Sequence, residues 1–201
     1  MKLKLSPITN LSDARFAAAA GFHYMGFCFD PNAVDFLLPI KAKEILEWTS
    51  GSHCVGEFGD QSAEEIQEIS ELLGVDVILL DNHILPDELS HFSKPIIKVI
   101  GLNQMDEAAV KREIAAYSPF CDAFQLNAQG ISVANLLWVK PLTESYKIIL
   151  NVGNDASAIN EIDSLISPFA IHLQAATEEQ TGMRDFSDLN ALLEAIGATQ
   201  V

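Results

Sequence analysis

Hydrophobic residues fall along the chain in short continuous runs rather than in alternation. Eight have strand length: Leu3–Ile8, Tyr24–Phe29, His53–Phe58, Val75–Leu80, Pro95–Ile100, Ala123–Leu126, Lys147–Leu150 and Phe169–Leu173. Continuous apolar runs suit parallel strands buried on both faces, whereas a half-exposed strand would alternate. Between them lie helical patterns over Pro39–Trp48, Ser62–Leu73, Met105–Tyr117 and Asp155–Leu165. Ser62-Ala63-Glu64-Glu65 has the form of a capping box ahead of an apolar stripe at Ile66, Ile69, Leu72 and Leu73, and Gly74 stands where that helix should stop. Asp155 and Ser157 are both placed to cap the last of these helices.

Strand and helix alternating along the whole sequence imply βαβ units and an α/β fold. Eight units could close into a barrel, and the pattern alone fits a doubly wound open sheet almost as well. No linker, low-complexity tract or composition shift divides the chain, so residues 1–201 are expected to form one domain. At 201 residues the chain is short for a (β/α)8 barrel, which typically takes about 250, so a barrel here needs short loops.

Charge narrows the list of partners. Twelve basic against 28 acidic residues give a formal charge of −16, which argues against nucleic acid or an anionic membrane surface. No apolar stretch has the length of a signal peptide or reaches the roughly 18 residues of a spanning helix, so a cytoplasmic protein is expected. Cys28, Cys54 and Cys121 lack metal-ligand spacing and read as buried free thiols.

Several segments resemble phosphoribosylanthranilate isomerases of tryptophan biosynthesis. The opening Lys2-Leu3-Lys4-Leu5-Ser6-Pro7-Ile8-Thr9-Asn10 has the frame of that family's first strand and loop. Gly26-Phe27-Cys28-Phe29 followed by Asp30-Pro31-Asn32 is similar to its second strand and loop. Val55-Gly56-Glu57-Phe58-Gly59-Asp60-Gln61-Ser62 is the most specific match. Gly74-Val75-Asp76-Val77-Ile78-Leu79-Leu80, Ile97-Lys98-Val99 and Asp122-Ala123-Phe124-Gln125-Leu126-Asn127 follow in the right order at the right spacing. The resemblance implies a single (β/α)8 TIM barrel. It also implies an Amadori rearrangement that needs a general acid at the ribose ring oxygen, a general base at C2 and no cofactor.

The positions that carry that chemistry depart from the family pattern. By the resemblance, Ser6 stands at the base position, where the family has cysteine, and Asn127 at the acid position, where it has aspartate. Asp35 falls where the family places an arginine that faces the anthranilate carboxylate, which reverses the charge. The phosphate-wrapping loops are thinned to Gly130, to Gly153 and Asn154 after the seventh strand, and to Gln174-Ala175-Ala176 after the eighth. Asparagine has no proton to give near neutral pH, and a serine hydroxyl is a weak base without an activating partner. No such partner is evident near Ser6 in the sequence.

Other polar residues gather at the expected strand ends: Asp30, Asp60, Asp81, His83 and Asn151. Asp81 with His83 is the most ligand-like pair, but its spacing is no recognised metal motif, so no metal is expected. Glu57, if it points inward, is a candidate acid or base. His53 and His172 lie within strand runs and read as satisfied core or barrel-end residues. Phe36-Leu37-Leu38 would expose apolar surface unless the loop folds over the mouth or meets a second copy in a homodimer. The expected function is therefore an isomerase-like barrel, diverged and with weak or no isomerase activity. The alternatives are a working N-(5'-phosphoribosyl)anthranilate isomerase with substituted groups and a non-catalytic barrel that binds a phosphosugar or other small molecule or regulates a partner.

Overall fold

The structure, a computed structural model, describes residues 1–81, 84–176 and 184–198. Eight parallel strands close on themselves in chain order, β1 pairing with both β2 and β8. They are β1 Lys2–Ser6, β2 Tyr24–Cys28, β3 His53–Phe58, β4 Val77–Leu80, β5 Ile96–Gly101, β6 Ala123–Asn127, β7 Ile148–Asn151 and β8 Ala170–Gln174. The helices are α1 Leu11–Ala19, α2 Pro39–Leu46, α3 Ala63–Leu73, α4 Glu107–Tyr117, α5 Lys140–Ser145, α6 Ala156–Leu165 and α7 Ser187–Ala195. The open-sheet alternative is thereby excluded, since β1 and β8 pair over five residues, Lys2↔Ala170 through Ser6↔Gln174.

All eight apolar runs contain strands, with ends shifted by a few residues. β1 stops at Ser6 rather than Ile8, because Pro7 has no N–H to give the ladder. β4 starts at Val77 because the Val75 N–H is taken by Ser70 O at the end of α3. Ser62 caps α3 with a full capping box, and Gly74 ends it in the left-handed region (φ 62°). Leu72, expected on the buried stripe, is exposed, while Ile66 and Ser70 face inward. Asp155 alone caps α6; its side chain accepts from Ala158 N–H.

The chain is short partly because the connection from β4 to β5 carries only a 3₁₀ turn, Pro86–His91, in place of a full helix. Two apolar clusters hold the molecule together. The larger fills the space between the strands and the helices, with Leu5, Phe27, Ile78, Leu126 and Ile171 fully or almost fully buried. The smaller fills the barrel: Val55, Leu79, Ile97, Val99, Ala123, Ile149 and Ala170. That inner cluster, with Tyr24 packed against it, sets the parity of β2 to β8, and the pairing of Ser6 with Gln174 carries it to β1. Residues an even number of positions further along point inward too, toward the end where the strands finish: Ser6, Cys28, Glu57, Gln125, Asn127, Asn151 and Gln174. Among the described residues, no helix is long and apolar enough to cross a membrane.

Candidate active site

The inward residues at the strand ends form one polar layer above the apolar plug. Its centre is a buried serine–histidine contact. Ser6 Oγ lies 2.7 Å from His172 Nε2, across the β1–β8 pairing. Lys4 Nζ donates to Ser6 Oγ at 3.3 Å and to Glu57 Oε1 at 2.5 Å. Lys4 is fully buried, so its charge has to be matched, and Glu57 matches it. Gly26 makes room for this: a methyl group there would overlap the Glu57 carboxylate and the Ser6 Cβ. Ser6 thus has the partners that the sequence did not disclose. Glu57 points inward as the condition for its candidacy required, but its charge is committed to Lys4.

His172 is 6% exposed, and its Nδ1 is buried without a hydrogen-bond partner, so it is not the satisfied core histidine expected. Burial first, and the Lys4 charge second, hold its pKa well below the ordinary 6.5. The ring is therefore neutral at pH 7. With its proton on Nδ1, it accepts the Ser6 hydroxyl at Nε2 and can take that proton during a reaction. The same shift makes a stability prediction. As pH falls below 6.5 the unfolded ring binds a proton that the buried ring refuses, so stability falls with pH. Denaturation of wild type and His172→Gln at about pH 7.5 and about pH 5.5 should show wild type losing more stability on acidification than the variant.

The acid position is organised by a ladder of amides. The Gly153 N–H donates to Asn151 Oδ1, which fixes that amide; Asn151 Nδ2 then donates to Asn127 Oδ1 at 3.3 Å, and Gln125 Nε2 donates to the same oxygen at 3.2 Å. Asn127 Oδ1 is saturated, so its N–H₂ is the group with donors to spare. Asn127 can offer a hydrogen bond there but no ionisable proton.

After β7 and β8 the loops spend their own polar groups. Asn154 Oδ1 accepts from the Gln174 N–H at 2.9 Å, while Asn154 Nδ2 donates to Gln174 O at 2.7 Å. Gln129 Nε2 reaches Asn151 Oδ1. Two backbone donors that an anion could take, those of Gly153 and Gln174, are thus already engaged by side chains.

The remaining candidates scatter. Asp30 and Asp81 stand at the mouth and line one cavity with Glu57, Asp81 being exposed; Asp35 and Asp60 are exposed in loops. His83 lies outside the described residues, so the Asp81–His83 pair is not described. Among the described residues, no group of three or more His, Cys, Asp or Glu is placed to hold a metal ion. His53 is exposed at the start of β3, the opposite end of the barrel. The loop after β2 exposes Val34, Phe36 and Leu38, while its Ala33 lines the mouth cavity with Asp30.

Two residues were not singled out in the sequence. Lys98 lines a cavity with Asp81 and Asn127 and sits 5.5 Å from the Tyr117 ring, its pKa lowered by burial. Arg184 is buried against Asp13 at 3.4 Å and donates to Pro7 O and Thr9 Oγ1, which ties the segment before α7 to the loop after β1.

Only Cys54 is fully buried; Cys28 and Cys121 are partly so. Burial is the main cause that pushes Cys28 up to about 11 and Cys54 and Cys121 up to about 12. At about pH 8 the thiolate fraction of each is on the order of 10⁻³ or less. A disulfide-exchange reagent should therefore label native protein slowly and all three thiols promptly in denaturant; prompt labelling of the native chain would contradict this placement.

Comparison with known proteins agrees with the geometry. The family model described as N-(5'phosphoribosyl)anthranilate (PRA) isomerase matches residues 3–195. The chain is 29% identical over 208 residues to the N-(5'-phosphoribosyl)anthranilate isomerase of Syntrophus aciditrophicus, covering 97% of this chain and 86% of that protein. It is 27% identical to the same enzyme of Pseudomonas putida GB-1, covering 98% and 97%. Among solved structures, the phosphoribosyl anthranilate isomerase of Thermus thermophilus superposes with a TM-score of 0.83 at 27% identity, covering 98% of this chain and 99% of that one.

Proposed function

The chain belongs to the N-(5'-phosphoribosyl)anthranilate isomerase family, and from that premise we propose that it catalyses the isomerisation its relatives are named for, as a single cytoplasmic barrel domain in tryptophan biosynthesis. The observation that carries this reading is the 2.7 Å contact between Ser6 Oγ and a buried, neutral His172. It supplies the base that the missing cysteine would otherwise leave absent. Asn127 Nδ2 supports ring opening by a hydrogen bond to the ring oxygen, which takes its proton from water. A hydrogen bond replaces a side-chain proton there, so the ring-opening step is slower than with a carboxylic acid. In the ring-opened iminium form of the substrate, Ser6, relieved of its proton by His172, removes the C2 proton, and the enolamine formed takes a proton at C1 while its C2 hydroxyl gives one up, which leaves the ketose.

A plasmid carrying this chain should restore growth without tryptophan to a bacterium that lacks its own isomerase. Soluble expression without growth would argue against the reading. A second reading, a barrel that keeps the fold and not the reaction, is favoured by the Asn154–Gln174 bonds, which engage donors a phosphate would use. The exposed Val34, Phe36 and Leu38 make the loop after β2 our proposed face for a homodimer.

A further inference from the structure

Lys4 does more than neutralise Glu57. It faces His172 in the β1–β8 register, and its ammonium donates to Ser6 Oγ at 3.3 Å, two residues along the same side of β1. A lysine ammonium has donors and no acceptor. The Ser6 hydroxyl proton therefore cannot go to Lys4, and among the described residues the other partner of Oγ is His172 Nε2 at 2.7 Å.

That contact has two possible arrangements. With the ring proton on Nε2, Ser6 Oγ receives two donors, one of them a full charge. Its own proton then has no acceptor, and His172 Nδ1 is a bare buried acceptor as well. With the ring proton on Nδ1, Ser6 donates to Nε2 and only the Nδ1–H goes unanswered. The second arrangement leaves fewer buried groups unsatisfied. The Lys4 charge also acts once the proton moves. When His172 takes it, an alkoxide forms within reach of Lys4 Nζ, in a layer closed to water, since Ser6 is 4% exposed and Lys4 wholly buried. A cation already in place beside a developing oxyanion stabilises it without reorganisation. Glu57 Oε1 anchors the same Nζ from β3, which keeps the ammonium there.

We infer that Lys4 is a positioning residue: it directs the Ser6 proton to His172, holds that ring in its Nδ1–H form and stands beside the alkoxide as it forms. Its part in turnover rests on the isomerase reading; its hold on the tautomer does not. The test compares wild type with Lys4→Met/Glu57→Leu, where an apolar pair replaces the ion pair and the fold is kept, as circular dichroism checks. Long-range proton–nitrogen correlation NMR near neutral pH reads the His172 ring directly. Wild type should carry its ring proton on Nδ1 alone. The double variant should show the Nε2–H form beside it, because nothing then competes for Ser6 Oγ. An Nε2–H ring in wild type, or the same single form in both proteins, would overturn the inference. In turnover the double variant should lose about 10²–10³-fold in kcat with KM little changed, since Lys4 meets Ser6 and not the substrate. An unchanged kcat would overturn the role at the alkoxide. Failure of the isomerase reading shows separately, as an absence of turnover by wild type whatever the ring spectrum.

Discussion

His172→Gln lowers kcat/KM for N-(5'-phosphoribosyl)anthranilate by about 10²–10⁴, the range one general base supplies. Glutamine places an oxygen near the position of Nε2, so it can still accept the Ser6 hydroxyl. What it lacks is basicity, and the loss therefore isolates proton transfer from hydrogen bonding. Ser6→Ala should fall in the same range, because the serine is the group that meets the substrate. The double variant should be little worse than the poorer single one, since two members of one relay fail as a unit. Additive losses would mean that the two side chains act separately. The wild-type rate should hold as pH falls through 6.5, because burial and Lys4 keep the His172 ring neutral well below that value. A rate that halves near pH 6.5 would place the essential group in water instead.

Glu57→Gln destabilises the fold by about 3–5 kcal/mol, the cost of leaving one partner of a buried ion pair uncompensated. Lys4 is wholly buried, and its ammonium has Glu57 and Ser6 as its hydrogen-bond partners. An amide at position 57 keeps an oxygen near Nζ but removes the charge. Lys4→Met combined with Glu57→Leu should recover most of the loss, since a matched apolar pair needs no desolvation of charge. Urea denaturation of the three variants checks both statements. A Glu57→Gln midpoint within error of wild type would show that the pair is not buried as described.

The fold was legible because burial on both faces gives each strand a signature within its own few residues. Eight apolar runs and the Ser62–Glu65 capping box marked the barrel's strands and α3 without any long-range information. The site was legible only in part. Ser6, Glu57 and Asn127 could be placed at the mouth because each lies at or near the end of a recognisable strand segment. The partner of Ser6 could not be read, because His172 is 166 residues away and meets it only through the β1–β8 register. A shift of one residue in that register would turn His172 outward. Lys4 was hidden for the same reason: a lysine in a strand reads as an edge or surface residue until its inward parity and its match with Glu57 are known. Gln125 carries no signal at all in the sequence, since its bond to Asn127 belongs to a chain of amides on β6 and β7. Leu72 erred in the other direction: it has helical spacing with Ile69, yet only the Ile66–Ser70 side of α3 meets the sheet.

The account turns on whether this barrel, with serine and asparagine at the base and acid positions, still isomerises. The direct measurement follows the fluorescence of freshly made N-(5'-phosphoribosyl)anthranilate after addition of the purified chain, beside His172→Gln at equal concentration. Decay faster than the uncatalysed rate with wild type, and not with the variant, is the predicted result. Decay at the uncatalysed rate with both, at high concentrations of folded protein, would contradict it and leave the barrel without the reaction of its family.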